Sequence, residues 1–149
     1  MIKIICIGKL KENYLKDAEQ EYLKRLKKYT QIELIELPDS NIDDEKIALE
    51  KEKNQILKYI KPKEYLVTLE IEGNQLSSLA FADKIDKTLI TSSDITFLIG
   101  GSYGIHPSIK EMSNYKLSFS KMTFPHQLFR ILLLEQLFRS YKILNNEKY

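Results

Sequence analysis

Residues 95–104 have the sequence ITFLIGGSYG, a short apolar run that is followed at once by two glycines. A continuous apolar run of this length, closed by glycine, predicts a strand that is buried on both faces of a sheet. Residues 2–8 (IKIICIG) and residues 65–71 (YLVTLEI) show a similar pattern. Because helical segments separate these strands, we predict an α/β protein with a mainly parallel sheet and helices on both of its faces.

The first half of the chain also supplies two helices and an edge strand. Residues 13–29 predict a helix whose apolar side chains share one face: Leu15, Ala18, Tyr22, Leu26 and Tyr29. Residues 32–37 alternate apolar and acidic side chains before Pro38, which is typical of a half-buried strand near the edge of a sheet. Residues 44–60 predict a charged helix that Pro62 stops.

The second half continues the alternation of strand and helix. A turn at Gly73-Asn74 is predicted after the strand at 65–71, and Ser77 or Ser78 can cap the helix that follows. The inner face of that helix is predicted to consist of four apolar residues: Leu79, Ala82, Ile85 and Leu89.

The last helix is apolar around nearly its whole circumference. Residues 116–119 predict a short strand, and Pro125 then opens a helix that runs to about residue 144. Its apolar residues are Leu128, Phe129, Ile131, Leu132, Leu133, Leu134, Leu137, Phe138, Tyr141, Ile143 and Leu144. A helix that packs on a sheet needs only one apolar stripe. We therefore expect its second face to bury against another copy in a homodimer, the alternative being a helix sunk in its own core.

Length and composition predict one ordinary globular domain, residues 1–149. The formal net charge is only +2, so the whole-chain balance gives no signal for nucleic acid. Cys6 is the only cysteine and is expected to be a small core residue, which excludes an intrachain disulfide. No signal peptide or membrane-spanning run is recognisable, and we expect a cytoplasmic protein.

Two segments could hold a ligand. Gly100, Gly101 and Gly104 follow a buried strand, where glycine lets backbone approach a ligand closely. Their spacing is wrong for a dinucleotide fingerprint, so a bare turn is an equally good interpretation. Residues 117–126 (LSFSKMTFPH) mix hydroxyls with apolar side chains and could hold a flat adenine. On composition alone, an ordinary strand–helix connection is the simpler interpretation of that segment.

The histidines are the main candidates for proton transfer. His126 lies in the first turn of the last helix, where the helix dipole favours a neutral imidazole that could accept a proton. It could equally be a capping or packing residue. Arg130 follows one turn later, and the two could form an anion or RNA contact. His106 is too far from His126 in sequence to suggest a metal site, and we expect none.

Two long segments carry a resemblance to a known family. LIGGSYG at 98–104 and LSFSKMTFPHQLFRILLLEQLFRSYKI at 117–143 strongly resemble the ribosomal RNA large subunit methyltransferase H family, a group within the SPOUT class of RNA methyltransferases. The likeness runs from end to end, and SKMTFPHQ is its most specific part. The resemblance implies a SPOUT-like fold with a C-terminal α/β trefoil knot and a homodimer. Residue patterns alone would not predict a knot, because knots are nearly absent among folds.

The resemblance also implies S-adenosylmethionine as the cofactor, bound in the knot. The implied cofactor contacts are Leu69, Gly100, Phe119, Ser120, Lys121, Met122, Thr123 and Phe124. The implied reaction is methyl transfer to N3 of a pseudouridine, position 1915 of 23S rRNA, within the assembled ribosome. No metal is required for this chemistry.

Within the implied reaction, we expect individual side chains to have specific roles. His126, or a water that it orients, is expected to take the N3 proton. Arg130 and Arg139 are expected to contact RNA phosphates or to brace the dimer. Family members commonly continue past a tyrosine near the end with a histidine and a basic residue, which this sequence lacks. Tyr149 is still a candidate substrate contact.

Three other functions compete with this interpretation. A knotted methyltransferase could act on another RNA, such as tRNA. A non-catalytic α/β dimer could bind a nucleotide and dock on the ribosome. A flavodoxin-like domain is disfavoured, because Gly8-Lys9-Leu10-Lys11 stands where a phosphate loop or an acidic pocket should follow the first strand.

Overall fold

Five strands and five helices alternate along the chain, and the computed structural model describes all of its residues, Met1–Tyr149. The strands are β1 (Ile2–Ile7), β2 (Ile32–Leu37), β3 (Tyr65–Gln75), β4 (Ile95–Ile99) and β5 (Tyr115–Ser118). The helices are α1 (Asn13–Leu26), α2 (Glu45–Leu57), α3 (Ser78–Thr91), α4 (Pro107–Met112) and α5 (His126–Leu144). Every predicted strand and helix is present, while α4 and the last part of β3 were not predicted.

The five strands form one sheet in the order β2-β1-β4-β3-β5, and every neighbouring pair is parallel. The predicted α/β class is therefore confirmed, and β2 lies at an edge as predicted. β1 and β4 are central and are buried over their whole length, as expected for apolar strands that are covered on both faces. Because all strands run the same way, their carboxyl ends meet along one edge of the sheet.

Helices cover both faces of the sheet. Because successive side chains of a strand point to opposite faces, those of β1 pack alternately into the two helical layers. Ile4 and Cys6 face the layer that contains α1, α3 and α5. Ile5 and Ile7 face the layer that contains α2 and α4. Burial raises the pKa of the Cys6 thiol to about 12, and the positive charge of Arg130 opposes this shift in part. Cys6 is thus the buried core residue that the sequence predicted.

β3 continues past the point where the sequence predicted a turn. Leu69 and Asn74 both pair with Leu117 of β5, so residues 70–73 protrude between two paired stretches. We call this segment the β3 bulge. A Cβ at Gly73 would lie 2.7 Å from backbone of β5, so only glycine allows the strands to meet again. The prediction of a Gly73-Asn74 turn was wrong because pairing with β5 outweighs the local turn preference.

Two further local predictions are corrected by the structure. Leu79 was expected on the inner face of α3 but is 68% exposed, and Phe81 occupies the core instead. Ser77 does cap α3, since its hydroxyl oxygen accepts a hydrogen bond from a backbone N–H of the first turn. α4 was missed because six residues are too few to show helical periodicity. It begins after His106, whose Nδ1 accepts a hydrogen bond from the backbone N–H of Ser108.

α5 packs against the sheet and contacts both α1 and α3. Leu133, Leu134 and Leu137 are fully buried, whereas Leu128 is 37% exposed. Neighbours within the chain thus cover much of the apolar circumference of α5. The homodimer, the knot and the assignment of residues 1–149 to a single domain stay predictions. None of the helices is both long enough and apolar enough to cross a membrane.

Candidate active site

A cleft of about 460 Å³ opens at the edge where the carboxyl ends of the strands meet. Its walls come from the end of β3 with its bulge, the turn after β4, one residue of α4, and the segment from β5 into α5. All of the lining residues fall between Leu69 and Phe129. Ligands of open α/β sheets bind in this position, so we treat the cleft as the candidate active site.

The turn after β4 presents bare backbone to the cleft. The N–H of Gly104 donates to the Gly101 carbonyl at 3.0 Å, and Gly104 has a φ of +80°, a conformation that favours glycine. A Cβ at Gly100 would collide with the carbonyl group of Gly104 and the side chain of Ile105. Gly100 therefore allows the backbone of Gly104 to pack closely against the end of β4, which a larger residue would prevent.

The loop between β5 and α5 supplies apolar surface to the cleft. Five of the six loop residues predicted as cofactor contacts line it: Phe119, Ser120, Met122, Thr123 and Phe124. The ring centroids of Phe119 and Phe129 lie 4.9 Å apart, and Phe124 lies 6.3 Å from Phe129. Ser120 Oγ accepts a hydrogen bond from the Met122 N–H at 3.0 Å, which ties the loop together. The sixth residue, Lys121, is exposed and lies outside the lining.

A polar part of the lining comes from the β3 bulge and α4. Leu69, which was predicted as a cofactor contact, lines the cleft just before this segment, and Glu70 and Glu72 follow it. Thr68 Oγ1 donates to Glu70 Oε2 at 2.7 Å, while Lys110 Nζ lies 3.7 Å from Glu70 Oε1. Sequence reasoning missed Glu70 and Lys110. Nothing in the sequence marks the bulge or the short helix, and without them these charged residues look like solvated surface.

His126, the first residue of α5, brings an imidazole into the same cleft. The side chain packs against the end of β1, where a Cβ at Gly8 would lie 3.2 Å from His126 Nε2. Gly8 has a φ of +102°, so glycine is favoured there for its conformation as well. The structure thus brings His126 together with Leu69 and Gly100, although their chemical roles stay predictions.

Arg130 lies one turn after His126 but points into the interior of the protein. The residue is 1% exposed and does not line the cleft. Its Nη1 donates to Glu19 at 3.0 Å and to Glu36 at 2.5 Å, and its Nη2 donates to the Gly8 carbonyl at 3.0 Å. The guanidinium is therefore enclosed by α1, β1 and β2. We had expected it to contact an RNA phosphate, but it is not presented to solvent.

Tyr149 lies outside the cleft of its own chain, beside α5. Its hydroxyl donates to the carboxylate of Glu135, and its ring centroid lies 3.6 Å from the guanidinium carbon of Arg139. Lost hydration and the hydrogen bond to Glu135 raise the pKa of Tyr149 to about 12. Arg139 is also paired with Glu135 at 2.9 Å. The structure thus groups Arg139 and Tyr149 with each other and not with His126.

Metal-binding geometry is not found. No group of three or more histidine, cysteine, aspartate or glutamate side chains is arranged to hold an ion. His106 Nε2 lies 2.9 Å from Glu50 Oε2. Hydrogen bonds from Lys53 and, to a smaller extent, from His106 lower the pKa of Glu50.

One family of proteins matches the whole chain. The family model described as "Predicted SPOUT methyltransferase" matches residues 1–149, the whole chain. A solved structure of a probable methylase family protein from Haemophilus influenzae Rd KW20 shares the fold, with a TM-score of 0.59 and 17% identity. That match covers 99% of this chain and 70% of the other. The chain therefore belongs to the SPOUT methyltransferase family.

Individual relatives narrow the assignment within that family. The ribosomal RNA large subunit methyltransferase H of Caldicellulosiruptor saccharolyticus is 46% identical over 152 residues, covering 100% of this chain and 99% of its own. The protein of the same name from Clostridium botulinum strain Hall is 46% identical over 155 residues, covering 99% and 98%. A relative from Methanococcus maripaludis strain C5 is 49% identical over 156 residues, again covering 99% and 98%. These matches place the chain in the methyltransferase H group and confirm the resemblance.

Proposed function

We propose that this protein transfers a methyl group from S-adenosylmethionine to N3 of a pseudouridine in 23S rRNA of the assembled ribosome. It acts in the cytoplasm as a homodimer of single-domain chains. The observation that carries the proposal is the cleft at the carboxyl ends of the strands, which Gly100 lines together with Phe119, Phe124 and other residues of the 119–124 loop. This cleft supports a methyltransferase function because relatives that are 46% identical over the full chain bear the name of an rRNA methyltransferase.

The cleft fits an adenosine-bearing methyl donor. Phe119, Phe124 and Phe129 offer apolar surface against which a flat adenine can pack. The bare backbone at Gly100 offers hydrogen-bonding groups without an obstructing side chain. The proposed cofactor contacts are Leu69, Gly100, Phe119, Ser120, Lys121, Met122, Thr123 and Phe124. Lys121 is the one member of this set that does not line the cleft. When bound, S-adenosylmethionine supplies a sulfonium methyl group that is already electrophilic.

The chain itself then has two tasks, which are to align the acceptor N3 and to receive its proton. Alignment of the reacting atoms is a positioning problem that a preformed cleft can solve. His126 is the proposed proton acceptor, directly or through a water, because it lines the same cleft as the cofactor loop. Arg130 is proposed as a positioning residue. Its hydrogen bond to the Gly8 carbonyl ties α5 to the strand end against which the imidazole packs.

Arg139 and Tyr149 are proposed as contacts to RNA or to the second subunit. Neither residue lines the cleft of its own chain. Either one could therefore contact RNA at an active site only if it reached the cleft of the other subunit in a dimer. Arg139 could instead brace the dimer through the surface of α5.

The proposed role of His126 predicts a loss of rate in His126→Asn. We expect the single-turnover rate with saturating ribosomes to fall about 100-fold, the range for loss of a positioned acid or base. Cofactor affinity should be nearly unchanged. His106→Asn is the matched control, because asparagine can still cap α4 and His106 lies outside the cleft. An unchanged rate in His126→Asn would remove the histidine from the mechanism.

The reaction is tested with purified protein, methyl-labelled S-adenosylmethionine and ribosomes from cells that lack this enzyme. Assembled ribosomes and separated subunits are compared, and the label is located by nucleoside analysis. We expect label at N3 of a 23S rRNA pseudouridine, and only in the assembled particle. Cofactor binding without label would indicate a different RNA, and absence of cofactor binding would favour a non-catalytic module.

A further inference from the structure

The polar part of the cleft has a charge pattern that the proposed reaction does not yet use. Glu70 extends from the β3 bulge and Lys110 from α4, and both side chains line the cleft. Only 11% of the Glu70 side chain is exposed, whereas 41% of the Lys110 side chain is exposed. A carboxylate and an ammonium group thus stand side by side within the candidate active site.

The two charged groups are adjacent without being tightly joined. Lys110 Nζ lies 3.7 Å from Glu70 Oε1, beyond hydrogen-bonding distance. The other oxygen, Oε2, is held by the hydroxyl of the fully buried Thr68 at 2.7 Å. The hydroxyl of Thr68 therefore fixes the orientation of the Glu70 carboxylate. Glu70 Oε1 and the Lys110 ammonium group keep the capacity to bind a ligand.

This arrangement complements a zwitterion. The α-ammonium and α-carboxylate groups of an amino acid are also adjacent, and each can pair with the opposite charge on the cleft wall. A nucleic-acid phosphate would gain from Lys110 but would be repelled by Glu70 and by the nearby carboxylate of Glu72. The pattern thus favours an amino acid over a polyanion.

We propose that Glu70 binds the α-ammonium group, and Lys110 the α-carboxylate group, of the methyl donor's methionine portion. This assignment rests on the proposed function. It places the amino-acid end of the donor at the β3 bulge, with the adenine on the apolar surface of Phe119 and its neighbours. Glu70 and Lys110 then distinguish ligands that have the amino-acid portion from ligands that lack it.

Two stable ligands test the assignment without a methyl-transfer reaction. S-adenosylhomocysteine and 5′-methylthioadenosine share the adenosine and the thioether sulfur, but only the former has the α-amino acid. Dissociation constants of both are measured by calorimetry for the unaltered protein, Glu70→Gln and Lys110→Met. In Glu70→Gln we expect about tenfold weaker binding of S-adenosylhomocysteine, as for a lost charge-assisted hydrogen bond. Affinity for 5′-methylthioadenosine should change by less than about twofold, because the adenosine contacts are intact.

The lysine should have a smaller effect, because solvent screens its partly exposed charge. We expect about threefold weaker binding of S-adenosylhomocysteine in Lys110→Met, with most of the affinity retained in Lys110→Arg. Glu111→Gln on α4 and Lys116→Met on β5 are matched controls, since both residues are exposed and outside the cleft. The controls should leave both dissociation constants unchanged, and thermal unfolding checks that every variant is folded.

The outcomes separate the assignment from the function on which it rests. Variants that weaken both ligands equally, or neither, would overturn the zwitterion subsite while the methyltransferase proposal stands. An unaltered protein that binds neither ligand and transfers no label would overturn both. A selective loss of S-adenosylhomocysteine affinity in Glu70→Gln and Lys110→Met, but not in the controls, is the result expected.

Discussion

Gly100 and Gly104 are four residues apart in one turn, yet they require glycine for different reasons. A side chain at Gly100 has no room, because its Cβ would meet the carbonyl group of Gly104. A side chain at Gly104 has room, since nothing lies within 4 Å of its Cβ, but the φ of +80° is unfavourable for other residues. Replacing each glycine by alanine in turn therefore distinguishes the effect of a steric clash, at Gly100, from the effect of backbone strain, at Gly104.

We expect Gly100→Ala to displace the turn that lines the cleft and to weaken S-adenosylhomocysteine binding by about tenfold or more. Gly104→Ala should lower the free energy of unfolding by about 1–2 kcal/mol, the strain of a left-handed alanine, with a smaller change in affinity. Calorimetry and urea unfolding measure the two effects. Equal affinity losses in both variants would contradict the distinction.

Single residues also show what the sequence could reveal about the site. Gly100 was recognisable because glycines after an apolar strand are a local pattern, and His126 because it lies in the first turn of a predicted helix. The 119–124 loop was assigned through the family resemblance of the SKMTFPHQ segment, since its composition alone did not mark it. The interior position of Arg130 was not recognisable, because its acceptors Glu19 and Glu36 are 111 and 94 residues away in the chain. Only the fold brings those carboxylates to α5.

At the scale of secondary-structure elements, Arg130 joins α5 to three others. Its guanidinium pairs with Glu19 of α1 and Glu36 of β2, and it donates to the Gly8 carbonyl at the end of β1. In Arg130→Met the buried Glu19 carboxylate would lose its cation. We expect the free energy of unfolding to fall by about 3 kcal/mol, the cost of breaking a buried ion pair from one side.

Urea unfolding measures this loss, and Arg139→Met is its matched control. Arg139 pairs with Glu135 at the surface of the same helix, so its replacement should change the free energy of unfolding by less than about 1 kcal/mol. Arg130→Lys should lie between the two, because lysine keeps the charge but cannot reach all three acceptors. Equal stability of Arg130→Met and Arg139→Met would show that the buried network contributes little.

The elements differ in how far local sequence determines them. β1 and β4 were predictable because apolar strands covered on both faces are continuous apolar runs. The last residues of β3 were not, because Gly73 and Asn74 favour a turn until β5 offers a partner. The β3 bulge exists only through this long-range pairing, and it carries Glu70 into the cleft.

For the whole molecule, the homodimer is the main untested prediction. Leu128 of α5 is 37% exposed and Met122 of the preceding loop is 74% exposed, so apolar surface remains beside the cleft. We expect light scattering after size exclusion to give twice the chain mass of 17.5 kDa. Leu128→Glu should shift the mass toward the monomer, because a charge is costly in an apolar interface.

Ile47→Glu is the control for this substitution. Ile47 is 56% exposed on α2, which packs on the opposite face of the sheet from α5. The control should leave the mass unchanged. A monomeric mass for the unaltered protein at micromolar concentration would contradict the dimer and require that each cleft work alone.

Because all of the residues that line the cleft fall between Leu69 and Phe129, the first 68 residues contribute none of its walls. They support it from outside, through Gly8 beside His126 and through the two carboxylates that hold Arg130. In evolutionary terms, we expect the two halves of the gene to be under different selection. Substitutions on the solvent-facing side of α1 or α2 should accumulate without altering any residue of the cleft wall.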